Sequence, residues 1–213
     1  MPSVEQAQSW YLDDDPVHDF DHVMRVYRIA EKLALAEGAD LEIIRAAALL
    51  HDSVGSAPGN PGEARAEHHI LSAIFARQVL TEEGWAEERI QAVEHCIRAH
   101  RFRNKGEKPQ TIEAQVLFDA DKLDVLGAIG AARTIAYAAL DGQPSYAEPS
   151  QQFLETGVKQ PGEPHSSYHE YLFKLRRVKE LLFTRTGKQI AEQRDAFLRA
   201  FYEQLQAECH GER

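Results

Sequence analysis

Apolar residues recur at helical spacing along most of the chain. Between residues 17 and 37, for example, Val23, Val26 and Ala30 fall three or four positions apart, and Gly38 follows as a typical helix end. Strict strand-like alternation is absent from the sequence, so we predict an all-α fold, a single-domain helical bundle over residues 1–213. The other predicted helices are 41–52, 66–83, 87–100, 111–140, 167–183 and 187–208.

Polar segments rich in Gly and Pro separate these helices. A break near Gly127 or Gly130 is expected to divide 111–140 into two pieces. The loop 101–110 is basic. The segment 141–166 is long for a loop in a compact domain, which predicts either a lid or a partly disordered stretch.

Composition narrows the functional classes. The 213 residues are 43% hydrophobic and 27% charged, which is ordinary for a globular protein large enough to bury a sizeable core. The net charge of −10 argues against a nucleic-acid polymer or a membrane surface as partner, although it leaves room for a local phosphate site. Two cysteines without zinc-type spacing indicate a reducing compartment. We therefore expect a cytoplasmic protein.

Ionisable side chains share faces with apolar ones in three predicted helices. An unpaired buried charge costs several kcal/mol, and a shared cation would satisfy several such groups at once. Taken singly, each has an ordinary alternative, either a satisfied core or surface histidine or an aspartate paired with a nearby cation. The residues are His18, His22 and Arg25 in the first helix, His51 and Asp52 in the second, and Asp121 and Asp124 in the third.

Neighbouring candidates differ in direction. Asp119 lies about 200° around the helix from Asp121, so the two are not expected to face one site. For the same reason, at most one of the adjacent His68 and His69 is expected to point inward. His100 continues the apolar stripe of its helix and is predicted to line the pocket.

Three motifs occur in order on predicted helices: H-x-x-R-V at 22–26, L-L-H-D at 49–52 and D-A-D-K-L-D at 119–124. Together they resemble the HD-domain superfamily of metal-dependent phosphohydrolases. The chain also resembles one bacterial branch of this superfamily, related to nucleotide pyrophosphohydrolases, and this likeness extends from about residue 17 to the end. The further stretches that carry this likeness include 95–102, 126–133 and 186–194.

The resemblance implies a metal site. Its ligand set of two histidines and two carboxylates suits one divalent ion, Mn²⁺, Mg²⁺, Fe²⁺, Co²⁺ or Ni²⁺, with a second ion as the alternative. One departure concerns the glutamate that follows the His-Asp pair in some branches. Here Ser53, Val54 and Gly55 follow, and Glu63 lies in a predicted loop, so the water-activating group is left open. The implied ligands are His22, His51, Asp52 and Asp121.

The predicted activity is hydrolysis of a phosphoester or phosphoanhydride, with a nucleotide as the expected substrate. The 101–108 loop would neutralise phosphate charge, or would simply be solvated. The oligomeric state is left open, a homo-oligomer included. The candidate catalytic residues are Asp52, Lys122 and His100. The candidate substrate contacts are His18, Arg25, His95, Arg101 and Lys122.

Two other functions are kept open. A binuclear-iron oxygenase of the HD type would need further histidine ligands, for which His68 or His69, His95 and His100 are available. A non-catalytic module that senses a nucleotide would bind its ligand without turning it over.

Overall fold

The computed structural model describes residues 1–11, 20–54, 62–101 and 106–212, of which 62–66 are described by their backbone alone. Across this part of the chain there are ten α-helices, one 3₁₀ helix and no strand, which confirms the all-α prediction. The α-helices are α1 (Val4–Gln8), α2 (Phe20–Glu37), α3 (Leu41–Leu50), α4 (Gly62–Glu82), α5 (Glu87–Ala99), α6 (Ile112–Leu123), α7 (Gly127–Leu140), α8 (Gln151–Thr156), α9 (Ser167–Phe173) and α10 (Arg185–Cys209), and the 3₁₀ helix is Leu175–Leu181.

Helix ends follow local chemistry. The predicted segment 111–140 breaks before Gly127, whose φ of 70° is the left-handed conformation that glycine adopts readily. At Gly130 an added Cβ would lie 2.2 Å from the Val125 carbonyl oxygen, so only glycine fits there. The short helices α1 and α8 were not predicted, because five or six residues carry too little periodicity. The backbone of Glu63, expected in a loop, lies in the first turn of α4.

The chain divides into two compact units. The first comprises Met1–Asp121 and Leu182–Gly187. Helix α3 lies at its centre and contacts α1, α2, α4 and α5. Seven of its ten residues are buried, from Ile43 to Leu50, so its C-terminal end is delivered into the interior. This placement brings the His-Asp pair into the core.

A buried carboxylate holds the returning segment 182–187 in the first unit. Asp119 is fully buried, and its oxygens accept hydrogen bonds from the Phe183 N–H at 2.9 Å, the Thr184 N–H at 2.8 Å and the Thr184 hydroxyl at 2.6 Å. Asp119 is thereby turned to this segment, as the angular argument from Asp121 predicted.

The second unit comprises Lys122–Leu181 and Lys188–Arg213. Tyr202 of α10 is fully buried and stacks on Tyr171 of α9, with ring centroids 4.4 Å apart. Asp124 is buried and forms an ion pair with Arg133 of α7. That one domain spans 1–213 stays a prediction.

The segment 141–166 is a folded loop that contains α8. Glu163 closes it, because its carboxylate accepts hydrogen bonds from the Ser150 N–H at 2.7 Å, the Ser150 hydroxyl at 2.8 Å and the Gln160 N–H at 2.6 Å. Its other contact is His169 Nε2 at 3.1 Å. These contacts describe the segment as folded, and the role of a lid stays a prediction.

Within the described residues, no single helix is long and apolar enough to cross a membrane. The bent pair α6 and α7 reaches the required length and apolarity only when both helices are taken together.

Candidate metal centre

The end of α3 is fixed by side chains. The last carbonyl groups of a helix have no partner within it and attract positive charge. In α3 three of them accept side-chain hydrogen bonds, so the position of the residues that follow is closely defined. The bonds run from His51 Nδ1 to the Ala48 oxygen (2.8 Å), from the Tyr11 hydroxyl to the Leu49 oxygen (2.8 Å), and from the Ser53 hydroxyl to the Leu50 oxygen (2.9 Å).

His51 has the protonation pattern of a metal ligand. A carbonyl oxygen can only accept, so the proton of the neutral ring lies on Nδ1 and the lone pair on Nε2. His51 Nε2 is buried and has no hydrogen-bond partner among the described residues. Burial lowers the pKa of His51 to about 4, although the Asp52 carboxylate opposes this shift. A buried lone pair on a neutral ring is what a cation requires.

The other three predicted ligands form a chain of neighbours that begins at this nitrogen. Asp52 Oδ2 lies 3.6 Å from His51 Nε2 and 3.8 Å from His22 Nε2. Asp121 Oδ1 lies 3.6 Å from His22 Nε2. These distances are too long for hydrogen bonds. His22 of α2 together with His51 and Asp52 at the end of α3 therefore forms a group that could hold one metal ion, and Asp121 of α6 lies beside His22. Mixed histidine and carboxylate ligands of this kind suit a divalent cation.

The second oxygen of Asp52 belongs to another cluster. Asp52 Oδ1 lies 3.2 Å from His68 Nε2 of α4 and 3.4 Å from His100 Nε2, and these two nitrogens are 3.3 Å apart. We call Asp52, His68 and His100 the second triad; its spacing could also hold a cation. Burial raises the pKa of Asp52, but the neighbouring imidazoles of His51, His100 and His68 outweigh it and hold the pKa well below its usual range.

Three histidines of α4 and the end of α5 take different directions. His100 is buried, and its Nδ1 contacts the Ile97 carbonyl oxygen at 2.5 Å, which directs Nε2 toward Asp52. Of the adjacent pair, His68 reaches Asp52, whereas His69 belongs to neither cluster of donors within the described residues. Burial lowers the pKa of His69 to about 4.

Two of the predicted substrate contacts, His95 and Arg101, have different surroundings. His95 is engaged by the loop that follows α5, since its Nδ1 lies 2.5 Å from Glu107 and its Nε2 accepts the Gln110 N–H at 3.1 Å. Arg101 Nη1 lies 3.2 Å from His68 Nδ1, beside the second triad. The role of both residues in binding substrate stays a prediction.

Three other candidates are defined less closely. Arg25 is half-buried on α2, three positions after His22. Lys122 is half-buried and follows Asp121 within α6. His18 lies outside the described residues. The roles assigned to these side chains stay predictions.

Sequence reasoning missed Tyr11 as a support of the metal centre. Tyr11 is half-buried, and desolvation of its phenol raises its pKa well above the usual range. Its hydroxyl donates to the Leu49 carbonyl oxygen at the end of α3. Because α1 is only five residues long, no periodic signal could have identified the contact.

Comparison with known proteins agrees with this geometry. The HD domain matches residues 19–126, slightly more than half of the chain, and the chain belongs to the HD-domain family. The resemblance drawn from the three motifs is therefore confirmed, and the His-Asp pair at the end of α3 lies within the matched region.

Relatives extend the likeness over the whole chain. The Bacillus subtilis protein YpgQ is 30% identical over 218 aligned residues, which cover 99% of this chain and 96% of YpgQ. The crystal structure of YpgQ in complex with ADP matches with a TM-score of 0.72, 29% identity and 97% coverage of both chains. An HD-superfamily hydrolase from Bacillus thuringiensis matches with a TM-score of 0.69 and 31% identity, covering 97% of this chain and 96% of its own. Family and neighbours together support a metal-dependent hydrolase.

Proposed function

We propose that this protein hydrolyses a phosphoester or phosphoanhydride bond in a nucleotide, with one divalent cation held by His22, His51, Asp52 and Asp121. The observation that carries the proposal is His51 Nε2, a buried lone pair without a hydrogen-bond partner among the described residues, which is grouped with donor atoms of His22 and Asp52. Asp121 adds a carboxylate oxygen beside His22. The ADP held by the related YpgQ supports a nucleotide as substrate.

The protein's own groups prepare the site. The Ala48 carbonyl fixes the His51 tautomer, and the hydroxyl of Tyr11 holds the helix end from which His51 and Asp52 project. When bound, a divalent cation would supply a lowered pKa for water and Lewis acidity toward a phosphoryl oxygen. The ligand chemistry is compatible with Mn²⁺, Mg²⁺, Fe²⁺, Co²⁺ or Ni²⁺.

Cationic and imidazole groups would complete the reaction. Lys122, Arg25 and Arg101 would neutralise phosphate charge, each as a charge-assisted donor to a phosphate oxygen. His100 Nε2, directed at Asp52, would orient water or contact the phosphate. The acidic net charge makes a small nucleotide a better partner than a nucleic-acid polymer or a membrane, and a cytoplasmic location remains our expectation.

A second candidate is favoured by the second triad. Because Asp52, His68 and His100 are spaced to hold another cation, a binuclear-iron oxygenase of the HD type is the alternative. Metal analysis separates the two. A pair of iron ions with a charge-transfer absorption band supports the oxygenase, whereas a single labile divalent ion supports the hydrolase.

The function is tested with metal-loaded protein and nucleoside mono-, di- and triphosphates, with the products identified by phosphorus NMR. Asp52→Ala should lose both metal retention and hydrolysis while circular dichroism stays helical. Asp141→Ala, which removes an exposed carboxylate at the end of α7, is the matched control and should retain both. Full metal occupancy in Asp52→Ala would show that Asp52 is not a ligand, and wild-type protein inert toward every nucleotide and metal would contradict the proposed function.

A further inference from the structure

The second triad poses a question of stoichiometry. Its three donor atoms are 3.2–3.4 Å apart, close enough to share a cation, and Asp52 already belongs to the proposed metal site. Spacing alone would therefore give this chain two adjacent cations. Whether the chain binds two cations depends on the hydrogen bonds of the Nδ1 atom in each imidazole ring, because these determine whether Nε2 has a lone pair.

A histidine that binds a metal through Nε2 needs its proton on Nδ1, and an acceptor beside Nδ1 normally secures it. His51 and His100 both follow this pattern, because their Nδ1 atoms contact the backbone carbonyl oxygens of Ala48 and Ile97. Both rings therefore present a lone pair on Nε2 to the site.

His68 has the opposite arrangement. Its Nδ1 lies 3.2 Å from Nη1 of Arg101, and a guanidinium group can only donate. Nδ1 must therefore accept this hydrogen bond, which leaves the proton of the neutral ring on Nε2. That N–H lies 3.2 Å from Asp52 Oδ1 and donates to it. A nitrogen that carries a proton has no lone pair for a cation.

Charge acts in the same direction. The guanidinium of Arg101 stays positive at all physiological pH values. It directly contacts one member of the second triad, and both groups are partly shielded from solvent, so repulsion of an incoming divalent ion is screened less than it would be in water.

We propose that Arg101 excludes a second cation, so that this chain holds one metal ion and uses His68 as a hydrogen-bond donor to Asp52. Arg101 is in this respect a specificity-determining residue for the number of metals. The proposal rests on the proposed metal centre of His22, His51, Asp52 and Asp121.

The test is metal stoichiometry, measured by elemental analysis after equilibrium dialysis against Mn²⁺ and, independently, by the spin-coupled signal of a Mn²⁺ pair in electron paramagnetic resonance. Wild-type protein should hold about one Mn²⁺ per chain, and Arg101→Met about two, because His68 can then carry its proton on Nδ1. Arg101→Lys, which keeps a charged donor, should return the count to about one.

Two controls isolate the effect. Arg98→Met removes a neighbouring arginine that pairs with Glu107 instead and should leave the count unchanged. Combining Arg101→Met with His68→Ala should abolish the gain, because a ligand of the second triad is then missing.

The outcomes separate the two proposals. Two metals in the wild type, or one in a folded Arg101→Met, would overturn the role of Arg101 while leaving the metal centre intact. The wild-type count requires no variant to fold, and Arg101→Ala serves as a second variant. A wild type that retains no metal at any Mn²⁺ concentration would instead overturn the metal centre and this inference with it.

Discussion

The buried carboxylate of Asp119 offers a quantitative test of how the first unit is held together. In the wild type, the two carboxylate oxygens accept hydrogen bonds from the Phe183 N–H, the Thr184 N–H and the Thr184 hydroxyl. Asp119→Asn leaves only one acceptor oxygen for these three donors. The new amide N–H₂ would also face donors. The side chain at position 119 has little room to move away from these donors, because it packs closely against Gly187, where an added Cβ would lie only 2.5 Å from Asp119 Oδ2.

The magnitude follows from these contacts. A hydrogen bond to a charged group contributes about 1.5–3 kcal/mol net, and a buried donor left without an acceptor costs about 1–3 kcal/mol. The contributions are not additive, so we expect Asp119→Asn to lower the free energy of unfolding by about 3–5 kcal/mol. Thr184→Val removes only the hydroxyl and should cost less.

The assay is urea-induced unfolding of the metal-free protein, followed by circular dichroism, so that bound metal adds nothing to stability. Asp141→Asn, an exposed aspartate, should change the free energy of unfolding by less than about 0.5 kcal/mol. A loss below about 1 kcal/mol in Asp119→Asn would refute the anchoring role. Metal loss from the folded variant would instead assign Asp119 to the metal centre.

Three further predictions concern single side chains. Lys122→Ala should keep its metal but lose about tenfold to a hundredfold in turnover, because one charge-assisted phosphate contact is removed. Unchanged steady-state kinetics would place Lys122 outside the substrate site. His100→Ala should keep one metal and mainly lower kcat/KM; a variant with wild-type metal content and activity would make His100 a structural core residue. Hydrogen bonds from the Ser150 backbone and other donors lower the pKa of Glu163 to about 2, against a usual 4.5, despite its partial burial. The ionised Glu163 therefore stabilises the folded state above its unfolded pKa, and this stability is lost as the pH falls from about 4.5 toward 2. Glu163→Gln should be less stable at neutral pH and should show a smaller drop in melting temperature over this range. Identical pH profiles for the two proteins would contradict this.

The sequence was sufficient to predict features that depend on neighbouring residues or on helical periodicity over many residues. The apolar run of α3 stops at His51 and Asp52, so their position at a buried helix end could be predicted. The direction of Asp119 relative to Asp121 followed from helix geometry alone.

Contacts that depend on distant segments could not be predicted. Tyr11 reaches Leu49 from a five-residue helix, and Asp119 binds a segment that lies 64 residues further along the chain. His68 could be recognised as a candidate, but its hydrogen bond to Arg101, across 33 residues, depends on how α4 packs against α5. No periodicity encodes such pairings.

Ser53 and Val54 follow the His-Asp pair, where some HD-domain branches have a glutamate, and both have structural contacts. Ser53 donates to the Leu50 oxygen and ends α3, and the Val54 N–H donates to the Ser72 hydroxyl at 3.1 Å, which ties this segment to α4. Both positions therefore serve to hold the helix end, whereas α4 and the end of α5 direct His68 and His100 at Asp52. The side chains placed beside Asp52 by these helices are therefore imidazoles. We accordingly expect His100, and no carboxylate from the segment that follows the metal ligands, to orient water in the proposed reaction.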